Sequence, residues 1–204
     1  MKKVFFTAML FITLVMNHQA QAPTLGVIGG FNFAKWKLGY KSTSFENKAR
    51  VGIFGGVNAE WMLKNEISMQ TELLYAQFGS KFEDDGEYAR YKTSYLLLPV
   101  LGKYNFRNGI SLSFGPQLGL LMSAKSDIDG EKYNFKDEMK KTDFFLVFGA
   151  EYRLKNGLRL GFRVNHGLSN VENGASTSLH NRGFALTANY KLKSSFKEVL
   201  QAIF

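Results

Sequence analysis

The chain has 204 residues, with 26 Lys and Arg against 17 Asp and Glu for a net charge of +9, and no cysteine. The missing cysteine excludes a disulfide scaffold and a thiolate metal site. Twenty Gly and 19 Phe beside only 3 Pro suit β-structure whose strands approach closely and whose outside is aromatic.

Met1-Lys2-Lys3 precedes the apolar run Val4 to Met16, and small residues follow at Ala20 and Ala22. This order of charge, grease and small side chains predicts a secretory signal peptide over residues 1–22, cleaved after Ala20 or after Ala22. The run is too short for a spanning helix of about 20 residues. Export also redirects the reading of the charge. Without Lys2 and Lys3 the 26 basic residues become 24 against 17 acidic ones, and an exported basic chain meets lipid headgroups rather than nucleic acid.

The mature chain carries a two-residue period, so its side chains alternate between two faces of successive strands. The first predicted strand is Thr24 to Leu38, with Leu25, Val27, Phe31 and Phe33 on one face and Gly26, Gly30 and Asn32 on the other. The second, Arg50 to Leu63, sets Val51, Ile53, Val57, Ala59 and Trp61 against Arg50, Gly52, Gly56, Asn58 and Glu60, with Phe54 and Gly55 read as a break. After Lys64-Asn65-Glu66 the third runs from Ile67 to Gly79, with Ser68, Gln70, Glu72 and Ala76 on its polar face. The fourth, Tyr91 to Tyr104, is apolar on both faces around Tyr95-Leu96-Leu97-Leu98, and Pro99 predicts a local irregularity. The fifth and sixth are Ile110 to Met122 and Thr142 to Leu154; the turn Lys155-Asn156-Gly157 leads to the seventh, Leu158 to Leu168, and the eighth is Arg182 to Leu192.

Tight turns near residues 65, 108 and 156 alternate with long connections near 39–48, 80–90, 123–141 and 170–181. One face is continuously apolar and the other mixes Gly with Arg and Glu, which cannot form a soluble core. The prediction is an all-β fold: an eight-stranded antiparallel up-and-down transmembrane barrel over 23–193, with its apolar face to lipid and a polar lumen. A charge is accordingly expected to be tolerated better at Gln117, in the lumen, than at Leu146 or Leu160 on the outer wall. Residues 194–204 are either a short amphipathic helix, with Phe196, Val199, Leu200 and Ile203 on one side, or a frayed end.

Four stretches stand out: Gly26-Val27-Ile28-Gly29-Gly30-Phe31-Asn32, Thr71-Glu72-Leu73-Leu74-Tyr75-Ala76-Gln77, Tyr95-Leu96-Leu97-Leu98-Pro99-Val100-Leu101 with Lys103-Tyr104, and Gly115-Pro116-Gln117-Leu118-Gly119. In these the chain resembles the bacterial outer-membrane β-barrel domain family of PorT-like proteins, common in Bacteroidetes. The resemblance implies a barrel in the cell outer membrane, surrounded by lipid and lipopolysaccharide. Because the motifs are structural, it transfers no catalytic residue, no cofactor and no metal ligand.

The candidate site is a set of inward ionisable residues: Arg50, Glu60, Glu72, Lys103, Glu151, Arg159 and Arg163, with Asp143, Arg153 and Lys191 on the same face. Opposite charges in a narrow lumen are expected to pair, since an unpaired buried charge is very costly. They form either a salt-bridged plug or a path for ions. Asp127-Ile128-Asp129-Gly130-Glu131 lacks calcium-loop ligand spacing and reads as a solvated hairpin tip. The expectation is a monomeric, non-enzymatic barrel whose loops or periplasmic rim bind a protein partner or serve secretion. The alternatives are a lipid-modifying barrel enzyme and a soluble lipocalin-like carrier.

Overall fold

A computed structural model describes residues 22–38, 46–84, 87–128, 130–173 and 178–192. The proposed signal segment, except Ala22, and the C-terminal tail lie outside the described residues.

The strands are β1 Thr24–Leu38, β2 Glu46–Met62, β3 Ile67–Asp84, β4 Glu87–Asn105, β5 Ile110–Ile128, β6 Glu131–Asn134, β7 Thr142–Arg153, β8 Leu158–Gly167 and β9 Leu179–Lys191. Every pairing is antiparallel between sheet neighbours, β1 pairs with β9, and β4 pairs with β5, so eight strands close into a barrel. The short β6 folds back on the end of β5 and occupies the place above β7. The Asn-Gly turn behaves as its chemistry requires. Gly157 takes φ +86°, and the Asn156 side chain accepts a hydrogen bond from the Leu158 amide.

The two-residue period delivers the wall. Phe31, Val51, Ile53, Val57, Leu73, Phe114, Phe148, Leu160, Phe162 and Leu186 project outward and are exposed. Tyr104, Tyr152 and Tyr190 lie outward near the short turns, as an interfacial aromatic girdle does. Glycines let the strands coil against one another. A Cβ at Gly30, which has φ +157°, would stand 1.9 Å from the Leu186 carbonyl oxygen, and one at Gly56 would stand 2.0 Å from that of Leu73.

Three expectations are corrected. Phe54 does not break the alternation: it points inward and is buried beside Leu74 and Ala76. The register slip on β4 falls between Ser94 and Tyr95 and not at Pro99, which pairs in step with Gln117 and turns its ring inward, so its missing N–H interrupts one ladder without shifting it.

The third correction concerns the lumen, whose network of paired charges is confined to its short-turn half. Toward the long loops it is a packed apolar core of Ile28, Trp36, Phe54, Leu74, Phe78, Tyr95, Leu97 and Phe145. Phe78 meets Tyr95 edge-on at 5.7 Å and lies 5.5 Å from Phe145. The two-sided apolar run on β4 belongs here, since Tyr95 and Leu97 are its buried members.

The connection from β5 to β7 closes this core from above. Phe135 packs edge-on against Trp36 and Tyr91, and Met139 and Val171 are buried. Backbone hydrogen bonds from Lys140 to Val171 and from Asn173 to Glu138 fasten this lid to the β8–β9 connection, which the Val171 N–H to Leu179 carbonyl bond closes on itself.

Candidate functional site

Near the short turns, inward positions two residues apart on the strands bring charged side chains to one depth. Glu60 of β2 accepts from Arg159 Nη1 at 3.1 Å, from Lys191 Nζ at 3.0 Å and from Ser68 Oγ at 2.8 Å. Glu72 of β3 takes Arg163 in a two-point clasp, with Nη1 at 2.6 Å from Oε2 and Nη2 at 2.9 Å from Oε1. A paired fork of this kind is the strong form of a charge-assisted contact.

Lys103 of β4 joins the two groups. Its ammonium donates to Glu151 Oε2 and to Gln70 Oε1, both at 2.8 Å, and Gln70 in turn donates to Glu72 Oε1 at 2.5 Å. Arg159 lies 3.9 Å from Glu151, which links the Glu60 group to the rest. Ser68 accepts from Asn105, whose carbonyl accepts from Ser111. The result is one hydrogen-bonded sheet of side chains across β2, β3, β4, β5, β7, β8 and β9, with three carboxylates against four cations. Its members are buried except Asn105, which is half-buried, and Lys191, whose side chain is 29 % exposed at the mouth.

Six of the seven candidate residues therefore meet: Glu60, Glu72, Lys103, Glu151, Arg159 and Arg163. Arg50 does not. It lies at the other end of β2, half-buried, and donates to the Phe78 carbonyl at 2.9 Å and to Gln77 Oε1 at 3.3 Å. Alternation assigns a face but not a depth, and only counting back from the turn separates Arg50 from Glu60. Arg153, at the rim, is exposed.

Asp143 is buried among the aromatics, where Asn181 donates to its Oδ2 at 2.9 Å, and it is remote from the cations. Asn181 also donates to Tyr95 Oη at 3.2 Å and accepts from Trp36 Nε1 at 3.0 Å. Gln70, Ser68 and the Asn58–Asn189 pair at 3.0 Å were missed as partners, although each shares the inward parity of the charged residues.

Between the charged and apolar halves lies a cavity of about 10 Å³ lined by Asn32, Phe54, Leu74, Gln117, Arg163 and Asn165, among others. Gln117 is 1 % exposed, and neither atom of its amide has a hydrogen-bond partner. Among the described residues no three His, Asp or Glu side chains gather as metal ligands.

A family model described as outer membrane protein β-barrel domain matches residues 19–173. No curated protein matches the chain in sequence. Among solved structures, Neisserial surface protein A is 14 % identical over 82 % of this chain and 97 % of its own, with a TM-score of 0.50. The attachment invasion locus protein Ail of Yersinia pestis, solved with the heparin analogue sucrose octasulfate, is 13 % identical over 84 % of this chain and 100 % of its own, at 0.49. OprG of Pseudomonas aeruginosa is 13 % identical over 86 % of this chain and 99 % of its own, at 0.40. At these identities the likeness to Neisserial surface protein A bears on fold alone.

Proposed function

The chain belongs to the outer-membrane protein β-barrel domain family, and from that membership we propose a non-enzymatic, monomeric barrel with a plugged lumen that acts through its loops or periplasmic rim. Family and apolar wall together put the protein in the outer membrane, and the soluble-carrier alternative falls. The PorT-like subtype, with a binding, structural or secretion-associated role, is the finer part of the proposal, as are the signal peptide cleaved after Ala20 or Ala22 and an unidentified protein partner.

The observation that carries the plug is the continuous charge network from Lys191 to Arg163, with a packed aromatic core above it. An eight-stranded lumen is just wide enough for its own side chains. Purified protein in a planar bilayer is expected to give no steady conductance steps. Stable, reproducible channels would replace the plug with a transport path.

The non-enzymatic reading is supported by the outer-wall chemistry. His166 faces Arg182, its Nε2 3.4 Å from a guanidinium nitrogen, and the Ser169 hydroxyl accepts from the Phe144 amide. A hydrolase needs its base and nucleophile within hydrogen-bond reach of each other. No fatty acid is expected to be released from lipopolysaccharide, and release that disappears in His166→Ala would refute this.

A further inference from the structure

On the outer wall at the long-loop end, β8, β9 and β1 place basic side chains opposite one another. Lys35 is the register partner of Arg182, Arg182 of His166, and Lys37 of His180. Lys35 and Arg182 are both cationic and directly opposed, and directly opposed like charges destabilise a sheet. Among the described residues Lys35, Lys37 and Arg182 form no ion pair with a carboxylate, and Arg182 Nε is buried without a hydrogen-bond partner. The adjoining stretches 39–45 and 174–177 contain no Asp or Glu.

The next outward residues toward the short turns are apolar. Phe33 pairs with Phe184 and Phe184 with Val164, and the two rings stack at 4.7 Å with planes 10° apart. Two residues along a strand is about 7 Å, so the cations sit directly above a greasy strip in which Phe184 and Val164 are exposed and Phe33 is half-buried. A free anion would use the cations but not the strip, whereas a lipid uses both.

We propose that Lys35, Lys37, Arg182 and His166 bind the phosphorylated headgroup of an outer-leaflet lipid whose acyl chains lie along Phe33, Phe184 and Val164. This rests on the outer-membrane reading, which turns the long-loop end to the cell exterior. The Arg182 fork suits a phosphate, a phosphomonoester brings nearly two negative charges, and the flanking ammonium groups of Lys35 and Lys37 add point charge.

The test uses protein refolded in zwitterionic micelles and checked by heat-modifiable migration on a gel. Binding is measured by native mass spectrometry for lipid A carrying its phosphates, for enzymatically dephosphorylated lipid A and for inorganic phosphate. Phosphorylated lipid A is expected to bind, with the other two far weaker. Lys35→Ser combined with Arg182→Ser should lower its affinity about 30-fold, at roughly five-fold per cation. Lys132→Ser combined with Lys136→Ser, in the β5–β7 connection, should leave it unchanged.

Equal binding of dephosphorylated lipid A, or retention of full affinity by the Lys35/Arg182 variant, overturns the site. Should that variant fail to fold, Lys37→Ser with His166→Ala and the wild-type comparison of the two lipids still decide. Absence of heat-modifiable migration in the wild type would instead refute the barrel reading on which the site depends.

Discussion

At the scale of single residues, the lumen contrasts side chains whose partners are complete with side chains that have none. Glu72 is held by both nitrogens of Arg163, so Glu72→Ala strands a buried guanidinium and is expected to cost about 3–5 kcal/mol. Glu66 meets Arg107 at 3.4 Å where the arginine is 94 % exposed, and Glu66→Ala should cost less than about 1 kcal/mol. Guanidinium titration of the refolded variants checks both, and equal losses would show that burial adds nothing to the network. Gln117 tells against the expectation drawn from alternation. Its neighbourhood offers a cavity of only about 10 Å³, so an arginine cannot fit without displacing the aromatic layer or Arg163. Leu160→Arg on the lipid face should cost about 2–4 kcal/mol, and Gln117→Arg is now expected to be no milder; a clearly smaller loss at Gln117 would restore the picture of a roomy polar lumen.

At the scale of elements, the outer face was legible because lipid imposes one rule on every strand. Val51, Ile53 and Val57 on β2 and Leu160 and Phe162 on β8 obey it and are exposed as the period requires. The inner face follows two rules, charge near the short turns and aromatic packing near the long loops, and period alone cannot say where one gives way to the other. Phe54 and Tyr95 therefore looked like exceptions when they are the second rule at work. The clustering of Glu60, Glu72, Lys103, Glu151 and Arg163 is legible by counting from the tight turns, a count that leaves out Arg50, which shares only their inward face. The lid was not legible, since residues 123–141 carry no strong period, yet Met139 is buried 3 % exposed within it. Met139→Ala should cost about 2–5 kcal/mol if the lid unfolds with the barrel, and faster proteolysis at 135–141 without loss of barrel stability would show that the lid opens by itself.

At the scale of the whole molecule, the charge network and the aromatic core stack along one axis, and the strands around them differ in length. β3, β4 and β5 have 18, 19 and 19 residues, whereas β7, β8 and β9 have 12, 10 and 13. A bilayer needs about 9–11 tilted residues per strand, so β8 is used up in crossing while β4 continues well beyond the headgroups. The exterior profile is thus a ramp. Its high edge ends in the β3–β4 hairpin, and its low edge is the row of Lys35, Lys37 and Arg182. To an antibody, a phage tail or a neighbouring cell, β3, β4 and β5 would reach further through the sugar-covered surface of the bacterium than β8 does.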